Sequence, residues 1–357
     1  LESYNIEILA EINHAPRLSN SEVIRMAHAY REKGADVIDV GCIPGESWSG
    51  VGNTVQQLRS EGFRVSIDSF DRTEVELAVA AGAELVLSCN SSNRDWLAHL
   101  GVEVVAIPDT PRDWSSLERT VELLESAGTK YRIDPILEPI GFGFVESLER
   151  YFQARRQWPE RELMMGIGNL TELSQVDSAG LNFLFAAICE ETRIRSVLTT
   201  EVINWCRSSV REFDLARRVM KFSLENRVLP KHFETGLLLL RDAKLHDLGE
   251  QGLAELAVRI TDPNFRIFAE DGEVHAINRD GHWHAADPFE LFDRLLESEA
   301  GSKLDPSHAF YLGYELCKAM TALTLGKQYR QDQSLDWGFL TVPEKSAHER
   351  RKQERND

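Results

Sequence analysis

From residue 5 to about residue 226, short β-rich runs alternate with amphipathic segments of helix length, and this rhythm limits the fold more than any other feature of the chain. The runs Ile6–Ile12, Val37–Val40, Val65–Asp68, Leu85–Ser88, Val102–Ile107, Tyr131–Asp134, Leu163–Ile167 and Ser196–Thr199 read as strands. Helices are expected at 20–33, 51–61, 72–81, 93–99, 115–127, 145–157, 178–192 and 209–226. Strands joined through helices run parallel, because the return path needs a dozen or more residues. Eight such units predict an α/β fold of the (β/α)8 TIM barrel type. Asn20-Ser21 reads as a helix start, and Gly34, Gly62, Gly82, Gly101 and Gly128 fall where helices end.

The rhythm breaks at Leu229-Pro230-Lys231-His232. Beyond it a helix is expected near 248–258, strands at Asn264–Ala269, Val274–Asn278 and around His282–Ala285, and helices at 288–298 and 306–325. Asp271-Gly272 between β-rich runs is a hairpin signal. The expected organisation is therefore a barrel at 1–228, a C-terminal α+β domain at 229–343, and a charged, disordered tail at 344–357.

Composition excludes several partners. With 58 acidic against 40 basic side chains the net charge is −18, which repels nucleic acid and anionic membrane surfaces. The five cysteines, Cys42, Cys89, Cys189, Cys206 and Cys317, form no CxxC pair, so reduced thiols in a cytoplasmic protein are expected, with no zinc site or disulfide framework. No apolar run approaches the roughly 18 residues that span a bilayer. The chain starts without Met, as a fragment of something longer would.

In a parallel barrel, ligand sites are built at the C-terminal ends of the strands. Asp68, Asn90, Asp134 and Asn169 fall there, at strands three, four, six and seven. One such residue is ordinarily a turn cap. Four together offer two carboxylates and two carboxamides to a flat heterocycle rich in N–H donors.

The residues Gly34-Ala35-Asp36-Val37-Ile38-Asp39-Val40-Gly41, Ser66-Ile67-Asp68-Ser69, Ser88-Cys89-Asn90 and Asp134-Pro135 with Gly141-Phe142-Gly143, in this order, resemble the pterin-binding barrel of dihydropteroate synthases and methyltetrahydrofolate:corrinoid methyltransferases. The whole chain looks most like the dihydropteroate-synthase-like proteins of archaea and of bacteria with methanopterin-type cofactors, whose members carry an additional N-terminal region. The resemblance implies a reduced pterin as substrate or ligand, with Asp134 taking its two-donor edge, Asp68 and Asn90 other polar ring atoms, and Asn169 standing near N5. It implies no tightly bound cofactor, Mg2+ only with a diphosphate substrate, a homodimer, and a corrinoid or biosynthetic partner protein. The departures are specific. The Ser-Arg-Lys string of the synthases is replaced by Gly168-Asn169-Leu170-Thr171, and the basic end of their eighth strand by Thr199-Thr200-Glu201, whose carboxylate would repel a diphosphate. Asn13, Arg17 and Glu201 are candidate further contacts at the mouth.

Three functions follow from that resemblance. The first is a transferase of folate- or tetrahydromethanopterin-type cofactor biosynthesis. The second is methyl transfer from a tetrahydropterin to a corrinoid or other partner. The third is a noncatalytic pterin-binding scaffold. In the C-terminal domain, His275, His282 and His284 are expected to face solvent beside a buried Trp rather than to hold a metal, and the 306–325 helix to pack on the barrel.

Overall fold

The computed structural model describes residues 1–233 and 235–344, so the expected tail lies outside the described residues apart from Glu344. Two compact units are formed, Leu1–Phe233 and Glu234–Asp357.

The first unit alternates β1 (Glu7–Ile12), α1 (Asn20–Lys33), β2 (Val37–Gly41), α2 (Val51–Ser60), β3 (Val65–Asp68), α3 (Arg72–Ala80), β4 (Leu85–Cys89), α4 (Arg94–Leu97), β5 (Glu103–Ala106), α5 (Trp114–Ala127), β6 (Tyr131–Ile133), α6 (Phe144–Gln157), β7 (Met164–Gly166), α7 (Gly168–Thr171), α8 (Ser178–Thr192), β8 (Ser196–Thr199) and α9 (Ser209–Asn226). All pairings are parallel, in the order β6-β5-β4-β3-β2-β1-β8-β7, and a bridge from Ile133 to Leu163 joins the two ends. This is the (β/α)8 barrel that the alternation predicts.

Strand parity sorts the side chains. Leu9, Val37, Leu85, Leu87, Val105 and Met164 pack together inside the barrel. The intervening Ile8, Ile38, Ile67, Val86, Val104, Ile133, Met165 and Val197 are equally buried on the opposite parity, against the helices. Largely apolar runs arise because both faces of a parallel strand are covered.

Local chemistry fixes the joints. Ser19 caps α1, accepting from the Glu22 N–H while Glu22 accepts from the Ser19 N–H, one residue ahead of the expected start. Helix α4 is a single turn instead of the expected 93–99. The β4–β5 register shifts between Val86 and Cys89, and Ser88 takes a positive φ of 70°, so the chain spends these residues on a loop. Arg217 on α9 is wholly buried and ties α9 to the start of β1 and the α1–β2 turn: it donates to the Ile6 and Gly34 carbonyls and pairs with Asp36 and Asp214. Every donor of a buried guanidinium needs such partners.

The second unit is a three-stranded antiparallel sheet, β9 (Arg266–Glu270), β10 (Glu273–Asn278) and β11 (Gly281–Ala285), with α10 (Gly249–Arg259), α11 (Pro288–Leu296) and α12 (Pro306–Leu325). Asp271 and Gly272 both take positive φ, 52° and 79°, the conformation a two-residue hairpin requires. One face of the sheet packs with α11 and α12 through Ile267, Val274, Ala276, Leu291 and Leu316. The other places Ile277 against Leu253 and Ile260. Glu344 accepts from Tyr314 and Lys318 on α12. Among the described residues no helix is long and apolar enough to cross a membrane.

Candidate functional site

The parity that points Leu9 and Val37 inward also points inward every polar residue above them. Glu11 follows Leu9 on β1, Asp39 and Gly41 follow Val37 on β2, and Ser66 and Asp68 share that parity on β3. Glu11 lies beside Asp39, Asp39 beside Ser66, and Gly41 beside Asp68 in the strand register. Around the ring, Asp134 continues β6 past Ile133, Gly166 ends β7, and Thr200 continues β8. An apolar plug is thus topped by a layer of carboxyls and hydroxyls at the C-terminal mouth.

Asp68 is half-buried and accepts from Ser88 Oγ at 3.2 Å. Burial pushes its carboxyl above the ordinary range. Asp39 is wholly buried; Ser66 Oγ donates to its Oδ1 at 2.6 Å, and Oδ2 has no hydrogen-bond partner. Its carboxyl is held well above the ordinary range by burial and by Asp68 and Glu11. Glu11 is pushed up to about 7 by burial, with Asp68 and Glu172 adding repulsion. Gly41 makes room for it, since a Cβ there would stand 2.7 Å from Glu11 Oε1.

Asp134 sits across the mouth. Its Oδ1 accepts from the Ile136 N–H at 2.8 Å and the Tyr151 hydroxyl at 2.5 Å, which leaves Oδ2 directed past Gly166, 3.8 Å from where a Cβ would stand. Burial raises this carboxyl to about 6 against the pull of the Tyr151 hydroxyl, the Ile136 and Gly166 N–H groups and the Arg150 charge.

The other expected contacts are built differently. Asn90 accepts from the Ser92 N–H and Oγ through its Oδ1, at 3.0 and 2.7 Å, so its carbonyl caps a turn and its amide remains for other use. The neighbouring Asn93, buried and unremarked in the sequence, pins this loop by donating to the Ser88 carbonyl and accepting from the Asn90 N–H. Asn169 is exposed on the one-turn α7 and donates to the Leu137 carbonyl at 2.8 Å. Asn13 is half-buried with its Cα beside Gly41. Arg17 is exposed, 4.0 Å from Glu46.

Glu201 is not turned to the mouth. Its side chain is 5% exposed, pairs with Lys33 of α1 and accepts from the Val210 N–H at the start of α9. The end of β8 therefore presents the Thr200 hydroxyl, buried without a hydrogen-bond partner, rather than a carboxylate, while Thr199 shares the outward parity of Val197. The Gly141-Phe142-Gly143 loop also holds an acid: Glu138 packs against Gly143, where φ is 121° and a Cβ would come within 2.5 Å, and pairs with Arg150 at 2.7 Å.

A cleft of about 470 Å³ opens at the opposite end of the barrel, with Arg64, Glu84, Glu103, Lys130 and Arg132 in its wall. It gathers none of these groups. That end of a barrel carries stability rather than chemistry.

In the second unit His275 lies opposite His284 across β10 and β11, and the rings of His275, His282 and His284 stand 5.3 to 5.5 Å apart. His275 is buried rather than solvent-facing, and its Nδ1 shares a hydrogen bond with His282 Nε2 at 3.1 Å. Burial lowers the affinity of both rings for a proton. Among the described residues no three His, Cys, Asp or Glu side chains are arranged to hold a metal ion.

Comparison with known proteins adds three findings. A family model described as PterinBD-DUF4346 matches residues 229–332. The uncharacterized protein MJ0107 of Methanocaldococcus jannaschii is 29% identical over 93% of this chain and 70% of its own length. Among solved structures, the dihydropteroate synthase of Yersinia pestis in complex with a sulfonamide drug superposes with a TM-score of 0.50 at 16% identity, over 62% of this chain and 95% of the other. The 7,8-dihydropteroate synthase of Vibrio fischeri gives 0.49 at 16% identity, over 62% and 94%.

Proposed function

From a barrel with the dihydropteroate-synthase fold, we propose that this chain binds a reduced pterin at the C-terminal mouth and acts in folate- or tetrahydromethanopterin-type one-carbon cofactor biosynthesis. The observation that carries this reading is the pair of carboxyls at the strand ends of the mouth, Asp134 after β6 and Asp68 at the end of β3, neither hydrogen-bonded to a cation among the described residues. A pterin edge with an amino group and a ring N–H supplies two further donors to such a carboxyl. The Asn90 amide, still uncommitted, adds a donor for a ring acceptor. Such a site orients the ring and fixes its protonation state; it offers no covalent nucleophile.

Diphosphate displacement fits poorly. The ends of β7 and β8 present Asn169 and the Thr200 hydroxyl where a leaving diphosphate needs positive charge. A second reading, methyl transfer from a tetrahydropterin to a corrinoid or other partner protein, is favoured by exposed apolar side chains on the βα loops around the mouth: Phe70, Ile140, Phe142 and Val202. Mg2+ enters only with a diphosphate substrate. Five free thiols suit a cytoplasmic setting, and outer helices would pair two copies.

Calorimetric titration with 7,8-dihydropterin and tetrahydropterin tests the reading. Wild type should bind, and Asp134→Asn should weaken binding at least tenfold, about 1.4 kcal/mol, with an unchanged thermal midpoint showing that the Tyr151 contact survives. Failure of wild type to bind either ligand overturns the proposal. With a methylated tetrahydropterin and free cobalamin, absence of demethylation would count against the second reading.

A further inference from the structure

Glu11 lies directly beside Asp39 in the strand register, and Asp68 stands two residues further along β3 than Ser66, the partner of Asp39, with all three facing the barrel interior. Around Glu11 the titratable neighbours are Asp39 on β2, Asp68 on β3, Glu172 after α7 and Tyr30 on α1, and none is a cation. The nearby basic groups are engaged elsewhere: Lys33 with Glu201, Arg150 with Glu138, Arg17 with Glu46. A second observation is independent of this crowding. Asp39 is wholly buried and its Oδ2 has no partner, an arrangement that an ionised carboxylate tolerates badly. Three buried carboxyls that repel one another without a counter-charge cannot all be ionised, so the group retains a proton.

We infer that Glu11 is a proton-bearing contact of the pocket, a neutral carboxylic acid that donates its O–H to an acceptor atom of the bound heterocycle while Asp68 accepts from its N–H groups. The inference rests on the pterin reading above. Position favours Glu11 as the donor: Asp39 lies deeper and wholly enclosed, whereas Glu11 is only partly buried and reaches over Gly41, where the missing Cβ leaves space toward the mouth. A burial-raised carboxyl close to 7 keeps the O–H in place through mildly acid and neutral conditions. The pocket then presents donor and acceptor side by side, which an all-carboxylate site cannot. It selects a ring whose edge alternates N–H groups with a bare nitrogen or carbonyl.

The test compares wild type, Glu11→Gln and Glu11→Ala by calorimetric titration with tetrahydropterin at pH 6 and pH 8. Wild-type affinity should fall about tenfold across that interval as the O–H is lost. Glu11→Ala should bind about tenfold more weakly at pH 6. Glu11→Gln, which keeps an N–H donor, should recover most of that loss and bind equally at both pH values, since its donor does not titrate. Two results overturn the inference: a Gln variant that retains the wild-type pH slope, which places the proton elsewhere, or a Gln variant as weak as the Ala variant at pH 6, which makes Glu11 an ionised acceptor. A ligand-free arm separates this from the pterin reading. The thermal midpoint of wild type should drop from pH 6 to pH 8 by more than that of Glu11→Gln, and equal drops would show that Glu11 carries no proton. Absence of tetrahydropterin binding at both pH values overturns the pterin reading and the donor role with it, while the midpoints still decide whether Glu11 holds the proton.

Discussion

Glu7 and Glu11 occupy the same strand, four residues apart, both pointing into the barrel, and they have opposite fates. At the end where the strands begin, Glu7 is clasped by Arg132 at 2.7 Å and by Arg64, while Arg132 also pairs with Glu103 at 2.9 Å and Arg64 with Glu84. Burial alone would raise the Glu7 carboxyl, yet the two guanidinium groups hold it below its usual value. At the mouth Glu11 has carboxyls for neighbours and is raised to about 7. One end of the barrel is balanced internally; the other is left for something that brings its own donors. Unbalanced polar groups in a half-buried layer cost stability, and a fold carries that cost where a ligand is to be bound.

Removing Arg132 should produce the largest effect. Arg132→Leu would leave Glu103 without a cation and Glu7 with Arg64 alone, and the loss should be about 3 kcal/mol in urea unfolding at pH 7. A loss below about 1 kcal/mol would mean that water already screens this end, and the contrast between the ends would fail.

Stability should depend on pH with opposite sign at the two ends. Glu7 has a folded-state value below its unfolded one, so its contribution is present above the ordinary carboxylate range and disappears as pH falls through the lowered value. Glu11 and Asp134 have raised values, about 7 and about 6, so their contribution is complete below their unfolded values near 4 and is lost as pH rises through 6 and 7. Maximum stability should therefore lie on the acid side of neutrality. Asp39→Asn, which removes a buried titrating carboxyl, should raise stability at pH 8 by on the order of 1–2 kcal/mol while weakening any ligand that relies on the layer. Equal stability at pH 5.5 and pH 8 would show that the mouth carboxyls are hydrated and ordinary.

The strands were legible because burial on both faces leaves runs rich in β-branched residues with few polar interruptions, and the helices because their caps and glycines lie within a few residues of each end. Asp68 and Asp134 were legible as polar residues closing such runs. Glu11 was the missed signal: a carboxylate two residues after an inward-facing Leu9, inside an apolar strand, has no solvent to point at, and parity alone would have placed it beside Asp39. Asn90 and Asn93 illustrate a limit of another kind, since either could cap the loop after β4 and only the turn geometry assigns Asn93 to the pin and the Asn90 carbonyl to the cap. Glu201 was beyond reach. Its partner Lys33 is 168 residues away in sequence, and nothing local announces that the carboxylate turns to α1 rather than to a ligand.

Arg17 provides the finest test of the contrast, because it is the cation on the first βα loop and the mouth layer otherwise lacks one. It lies 4.0 Å from Glu46 with both side chains more than 60% exposed, so solvent screens the pair and Arg17→Ala should change stability by less than about 0.5 kcal/mol. Binding should be more informative. If the loop offers an anion contact, the substitution should weaken a pterin diphosphate about fivefold at low salt, leave an unphosphorylated pterin unchanged, and lose its effect near 0.5 M salt, where screening is nearly complete. Equal affinities for wild type and variant with both ligands would leave the mouth without a working cation, extend the contrast between the two ends to its full length, and weigh further against chemistry that expels a diphosphate.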